Sequence, residues 1–130
     1  MSAQFYVLPR WLRDIAPLIF WMALIFILSS RSTLVEFESG TSEKLFNKSA
    51  HVIVYALLAW LWWRALTAQR QITWPILFTT LTLTILYGIS DEYHQAFVPG
   101  RHGRLSDVLF DASGALGMIL LIRCYFGRNR

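Results

Sequence analysis

The chain reads as an all-α integral membrane protein, a small bundle of four transmembrane helices joined by short loops. Three observations predict this. Four apolar runs, at about residues 11–30, 49–66, 74–95 and 107–125, approach the roughly 20 residues a helix needs to cross a bilayer. None shows the period-two alternation of a barrel strand, so helices are the spanning structure that satisfies the backbone. The charged residues, 15% of 130 positions, gather between and beside these runs. The length allows one domain, residues 1–130. A single cysteine, Cys124, excludes an internal disulfide and a cysteine-based metal site. The net charge of +4 does not indicate nucleic acid, because the basic residues flank apolar runs instead of forming a polar patch.

The first run holds "IAPLIFWMALIFILSS" and lacks a small-residue cleavage site, so it is expected to be a retained helix and not a signal peptide. The second, "SAHVIVYALLAWLWWRAL", places Trp60, Trp62 and Trp63 where an aromatic belt would meet the inner interface. The third, "WPILFTTLTLTILYGI", carries Thr79, Thr80, Thr82 and Thr84, whose hydroxyls are tolerable in lipid if they bond back to helix carbonyls. In the fourth, "DVLFDASGALGMILLIRCY", the small residues Ser113, Gly114 and Gly117 predict close packing on a neighbour. Residues 31–48 are expected to form a loop with a short interfacial helix around Glu43–Lys48, capped by Thr41 or Ser42.

Sorting the charges by side predicts the topology. Arg10, Arg13, Arg64, Arg70, Arg123, Arg128 and Arg130 fall on one side, with Asp14 as the acid there. Arg31, Lys44, Lys48, Arg101 and Arg104 fall on the other, with Glu36, Glu38, Glu43, Asp91, Glu92, Asp107 and Asp111. The excess of Lys/Arg predicts that the first side is cytoplasmic, giving N-in and C-in.

The polar residues of the second side are expected to converge. Lys48, His51 and Tyr55 share a face at the start of the second helix. Asp91 and Gln95 share one at the end of the third, with Glu92 a quarter-turn away. Asp107, Asp111 and Gly114 share one at the start of the fourth, where Asp107 or Ser106 would serve as first-turn acid or cap. "VPGR" predicts a turn, with Pro99 fixing φ and Gly100 free to adopt positive φ, that folds Arg101 over the helix ends. A charged side chain at hydrocarbon depth costs roughly 2.5–3.5 kcal/mol on insertion scales, so these groups must face a shared interior and find partners. Asp91 sits at a helix C-terminus, where negative charge is disfavoured, and Arg101, Arg104 or Lys48 would compensate it. The reading therefore makes His51, Asp91, Glu92 and Asp111 candidate acid–base residues, and Lys48, Tyr55, Gln95, Arg101 and Asp107 candidate binding residues. Arg101 and Arg104 could instead grip phosphate or bridge to Asp91, Asp107 or Asp111. A metal set of His51, Asp91, Glu92 and His94 has suitable donors but no compact spacing, so no metal is expected and no cofactor is assigned. His94 and His102 read as interfacial or solvated.

The motifs K-x-x-H-x-x-x-Y at 48–55, D-E-x-x-Q at 91–95, F-V-P-G-R at 97–101 and D-x-x-x-D-x-x-G-x-x-G at 107–117 together resemble the VanZ-like family of small bacterial membrane proteins. The resemblance covers about residues 44–122. It implies a multi-pass protein of the bacterial cell membrane, with a namesake associated with low-level resistance to teicoplanin, a glycopeptide with a fatty tail. It departs at Asp111, where many members carry Asn; the added negative charge implies a different ligand or protonation state. Two functions are in view: an enzyme acting on an envelope lipid or lipid-linked glycan, and a non-enzymatic binder of such a lipid or of a lipoglycopeptide whose polar cluster is chiefly structural. The expected partners are membrane lipids, with a homo-oligomer able to help wall off the polar cluster.

Overall fold

A computed structural model of the chain describes residues 8–31, 40–67, 70, 72–101 and 103–127, with the side chains of 40–44 and 47 excepted. All the regular structure in these residues is helical. A single π-helical turn, Trp11–Ile15, runs into α1 (Ala16–Ser29); α2 spans Gly40–Leu66, α3 Trp74–Gln95 and α4 Leu105–Gly127. Pro75 stands in the first turn of α3, where its missing N–H has no partner to lose, and Pro17 follows the π-helical turn at the start of α1. Trp11–Ser29, Lys48–Leu66 and α4 are long and apolar enough to cross a membrane. The third helix matches them in length, and its threonines and polar end Asp91–Gln95 lower its apolar content. Thr79, Thr80 and Thr84 donate to the carbonyls of Pro75, Ile76 and Thr80 at 2.8–2.9 Å, which keeps their hydroxyls satisfied in an apolar setting.

Two boundaries differ from the sequence expectation. The second helix begins at Gly40, so the interfacial helix expected around 43–48 is continuous with it, and Thr41 and Ser42 lie within the helix and not at its cap. At 27 residues α2 is about 40 Å long, beyond the ~30 Å of hydrocarbon core, so its first turns stand outside the apolar stretch. The fourth helix begins at Leu105, which makes Asp107 a first-turn acid and places Ser106 inside the helix instead of at its cap.

The helices alternate in direction. Arg64, near the end of α2, donates to Asp14 at the start of the first span at 2.8 Å, and Ser30 after α1 shares a 2.9 Å hydrogen bond with His94 at the end of α3. Pairs along α2 and α4 run in parallel: His51 with Asp111 near their starts, Trp63 with Phe126 near their ends. The tightest seam is between these two, because a Cβ on Gly114 would lie 2.1 Å from the Val52 carbonyl oxygen. Gly114 alone provides this approach: nothing stands within 4 Å of a Cβ on Gly117, and Ser113 is exposed with its hydroxyl on the Phe110 carbonyl.

The core has two parts. Leu18, Ile25, Tyr55, Leu58 and Leu61 pack between α1 and α2, and Trp63, Leu77, Ile119 and Ile122 pack where α2, α3 and α4 meet. Trp63 is therefore a core residue and not part of a belt; the exposed tryptophans at that end of the bundle are Trp11 and Trp74, the latter under the Arg123 guanidinium at 3.9 Å. The same end holds Arg10, Arg13, Arg64, Arg70 and Arg123 and one buried acid, Asp14, whose two oxygens take the guanidinium groups of Arg13 and Arg64 at 2.8 Å.

Candidate functional site

The opposite end of the bundle collects the remaining described acids. The alternating helix directions bring the start of α2, the end of α3 and the start of α4 to one level. From α2 come His51 and Tyr55, with rings parallel and centroids 6.2 Å apart. From α3 come Asp91, Glu92 and Gln95, all buried. From α4 come Asp107, half-buried, and Asp111, fully buried and about 9 Å along the helix from its start.

These side chains touch. His51 Nδ1 and Asp111 Oδ1 are 2.8 Å apart, the one ion-pair geometry between a basic side chain and these four acids among the described residues. An ionised Asp111 can only accept, so in that state Nδ1 carries the shared proton and Nε2 is the ring nitrogen outside this bond. The Tyr55 hydroxyl and the Gln95 amide both donate to Asp91 Oδ2, at 3.2 and 3.0 Å. The Arg104 backbone N–H donates to Glu92 Oε2 at 2.8 Å. A ring nitrogen of His51 and one carboxylate oxygen each from Glu92 and Asp107 lie within 4.8 Å of one another.

The local folding has identifiable causes. Gly88 sits one turn before Asp91 and lets α2 and α4 close over α3: a Cβ there would meet Asp111 Oδ2 at 2.9 Å and the Tyr55 ring at 3.3 Å. The predicted turn forms, with Arg101 N–H bonded to the Val98 carbonyl at 3.0 Å and Gly100 at φ 79°, the type II pattern. The returning chain then presses Gly103 on the end of α3, where a Cβ would stand 2.1 Å from the Glu92 carbonyl oxygen. That contact delivers the Arg104 N–H to Glu92. Gly88, Gly103 and this N–H escaped the sequence reading; the glycine pair in "PGRHGR" was the available signal.

Of the nine candidates, His51, Tyr55, Asp91, Glu92, Gln95, Asp107 and Asp111 come together, and Lys48 and Arg101 do not. The exposed Lys48 ammonium lies over the Phe110 ring at 4.9 Å. Arg101 Nε donates to the Arg31 carbonyl at 2.9 Å and so ties the turn to the end of α1. Asp91 is thus compensated by neutral donors and not by Arg101, Arg104 or Lys48. His94 faces away from the acids, stacked on Phe26 at 4.4 Å. His102 and Lys44 lie outside the described side chains.

The result is a cluster rich in carboxylates and poor in positive charge. Asp91 Oδ1, Glu92 Oε1 and Asp111 Oδ2 are buried with no hydrogen-bond partner among the described residues. Each such group costs about 1–3 kcal/mol, and more when charged. Two ionised carboxylates with oxygens under 4.8 Å apart repel by about 3–4 kcal/mol at an effective dielectric near 20. A folded chain carries such terms where a ligand, an ion or a transferred proton offsets them.

Comparison with known proteins agrees with the sequence motifs. A family model described as VanZ/LLP1 matches residues 14–126, which include every residue of the cluster. No curated protein and no solved structure matches the chain.

Proposed function

The chain belongs to the VanZ/LLP1 family, and from that premise we propose that this membrane protein acts on the polar head of an envelope lipid or lipid-linked glycan at the outer leaflet of the bacterial cell membrane. In this reading the acidic end faces outward and both termini face the cytoplasm, in keeping with the arginines gathered at the basic end. The observation that carries it is the His51–Asp111 pair, at 2.8 Å and largely withdrawn from water. Asp111 fixes the imidazole tautomer and orientation, so that Nε2 can take a proton from a hydroxyl or a water placed beside it. Asp91, held by Tyr55 and Gln95, serves as the second acid–base group or as a hydrogen-bond acceptor for a sugar hydroxyl. Through binding or altering such a lipid, the protein would raise tolerance to a lipoglycopeptide such as teicoplanin.

One observation favours a non-enzymatic form of the same function. The Tyr55–Asp91–Gln95 bonds join α2 to α3, which is a structural use of part of the cluster. One experiment separates the two. Purified protein is incubated with total envelope lipid, and the lipid species are followed by mass spectrometry. Conversion that His51→Ala and Asp91→Asn abolish in folded protein identifies an enzyme; a lipid retained unchanged identifies a binder. Neither conversion nor retention, with tolerance unaffected by expression, would remove the proposal.

A further inference from the structure

We propose that His51, Glu92 and Asp107 bind a first-row divalent cation, Zn2+ or Mn2+, with Asp111 orienting His51 from behind. The sequence expectation of no metal rested on the lack of compact spacing and on a set that included Asp91 and His94. Tertiary structure changes the membership. It directs His94 to Ser30 and Phe26, gives Asp91 to Tyr55 and Gln95, and brings Asp107 to His51 and Glu92 from the first turn of α4.

Four observations converge. The donor atoms of the three residues lie within 4.8 Å of one another, so a point between them is about 2.8 Å or less from each. Adjustments of under about 1 Å then reach the 2.0–2.2 Å of metal–nitrogen and metal–oxygen bonds. The Nδ1 of His51 is held by Asp111, which leaves Nε2 as the ring's ligating atom in the carboxylate–histidine–metal arrangement; with Nε2 on an ion, proton transfer falls to Asp91. Glu92 is only 5% exposed, yet its Oε1 has no partner among the described residues. Finally, the chain treats its other buried acid differently: both oxygens of Asp14 are taken by Arg13 and Arg64. At the acidic end the described arginine and lysine side chains go elsewhere, and the carboxylates keep open valences. An imidazole with two carboxylates suits Zn2+ or Mn2+ better than Mg2+ or Ca2+, which take oxygen almost exclusively.

The test uses the full-length chain in detergent, treated with a chelator and desalted. Mn2+ is titrated by the loss of its free electron-spin resonance signal and Zn2+ by calorimetry. The expected result is saturable binding of about one ion per chain. Asp107→Asn, near-isosteric and half-buried, should weaken binding at least tenfold while the ion-free protein melts no lower than the parent, since one of two neighbouring negative charges is removed. Glu92→Gln and His51→Ala should abolish binding, and Asp111→Asn should weaken it about 10–100-fold. No saturable binding overturns the proposal. So does equal affinity in Asp107→Asn and His51→Ala, which would place the ion elsewhere, and so does a preference for Mg2+ indifferent to His51. No lipid is added here, so a chain that binds the ion, yet in the lipid experiment neither converts nor retains lipid and leaves tolerance unaffected, supports this site while removing the lipid reading.

Discussion

Gly114→Ala and Gly117→Ala, three residues apart on one helix, should have opposite consequences. At Gly114 an added Cβ would stand 2.1 Å from the Val52 carbonyl oxygen, 2.9 Å from its carbon and 3.0 Å from its Cα. All three atoms are backbone, so no rotamer change relieves the clash. Ordinary contact begins near 3.4 Å, so α2 and α4 must separate by about 1.3 Å at this level. His51 adjoins Val52, and Asp111 lies three residues before Gly114. The separation therefore stretches the 2.8 Å His51–Asp111 bond towards 4 Å, past hydrogen-bonding distance. Overpacking costs about 1–3 kcal/mol. Loss of the pair adds up to about 3 kcal/mol, since a buried carboxylate is left without its partner. At Gly117 nothing lies within 4 Å of the new methyl, and Ala is the better helix former by up to about 1 kcal/mol, so the variant should be neutral or slightly more stable. Thermal unfolding of the two variants in the same detergent, followed by circular dichroism, measures the contrast. A Gly114→Ala protein as stable as the parent would refute the close approach of α2 and α4, and with it the geometry of the site.

Other predictions can be checked with the same purified material. Asp14→Ala strands Arg64 beside α1 and should lower stability by about 2–3 kcal/mol, less than for a fully buried pair because Arg13 is 42% exposed; a variant within error of the parent in unfolding experiments would contradict this. Tyr55→Phe removes one of two donors to Asp91 and should cost about 1–2 kcal/mol, and a double-mutant cycle with Asp91→Asn should give a coupling of at least about 0.5 kcal/mol; additive effects would show that the contact is not made. Arg104 reaches Glu92 through its backbone N–H while its side chain is exposed, so Arg104→Cys in a Cys124→Ser background should fold normally. That cysteine should react with a membrane-impermeant maleimide on intact cells, and labelling only after lysis would reverse the proposed orientation.

How much of this was legible before folding depends on whether an interaction is local. The helices could be read because a bilayer forces long apolar runs into closed hydrogen-bonding patterns, and length and composition carry that constraint. The grouping of polar residues at one level could be read as well, since Lys48, His51, Asp91, Glu92, Asp107 and Asp111 all fall at ends of apolar runs on the same side. The residues Lys48 and Arg101 mark the limit. Opposite charge predicts that they join the acids, yet long flexible side chains at a helix end have other partners in reach, and these two settle on a ring and on a carbonyl.

The amino-acid order alone determined the class of the protein, the places of its helices along the chain and the helix ends that carry its ionisable groups, because each follows from neighbours within a few turns of one segment. Partner choice was decided only in three dimensions. His51 meets Asp111 sixty positions away, Arg64 meets Asp14 across fifty, and Trp63 enters the core instead of the interface. A helical period tells which face a residue occupies but not which helix covers that face or at what height. Here the height is set where the chain comes closest to itself, backbone against backbone at Gly103 and Gly114 and the Asp111 and Tyr55 side chains against Gly88, and those contacts exist only once the helices have packed.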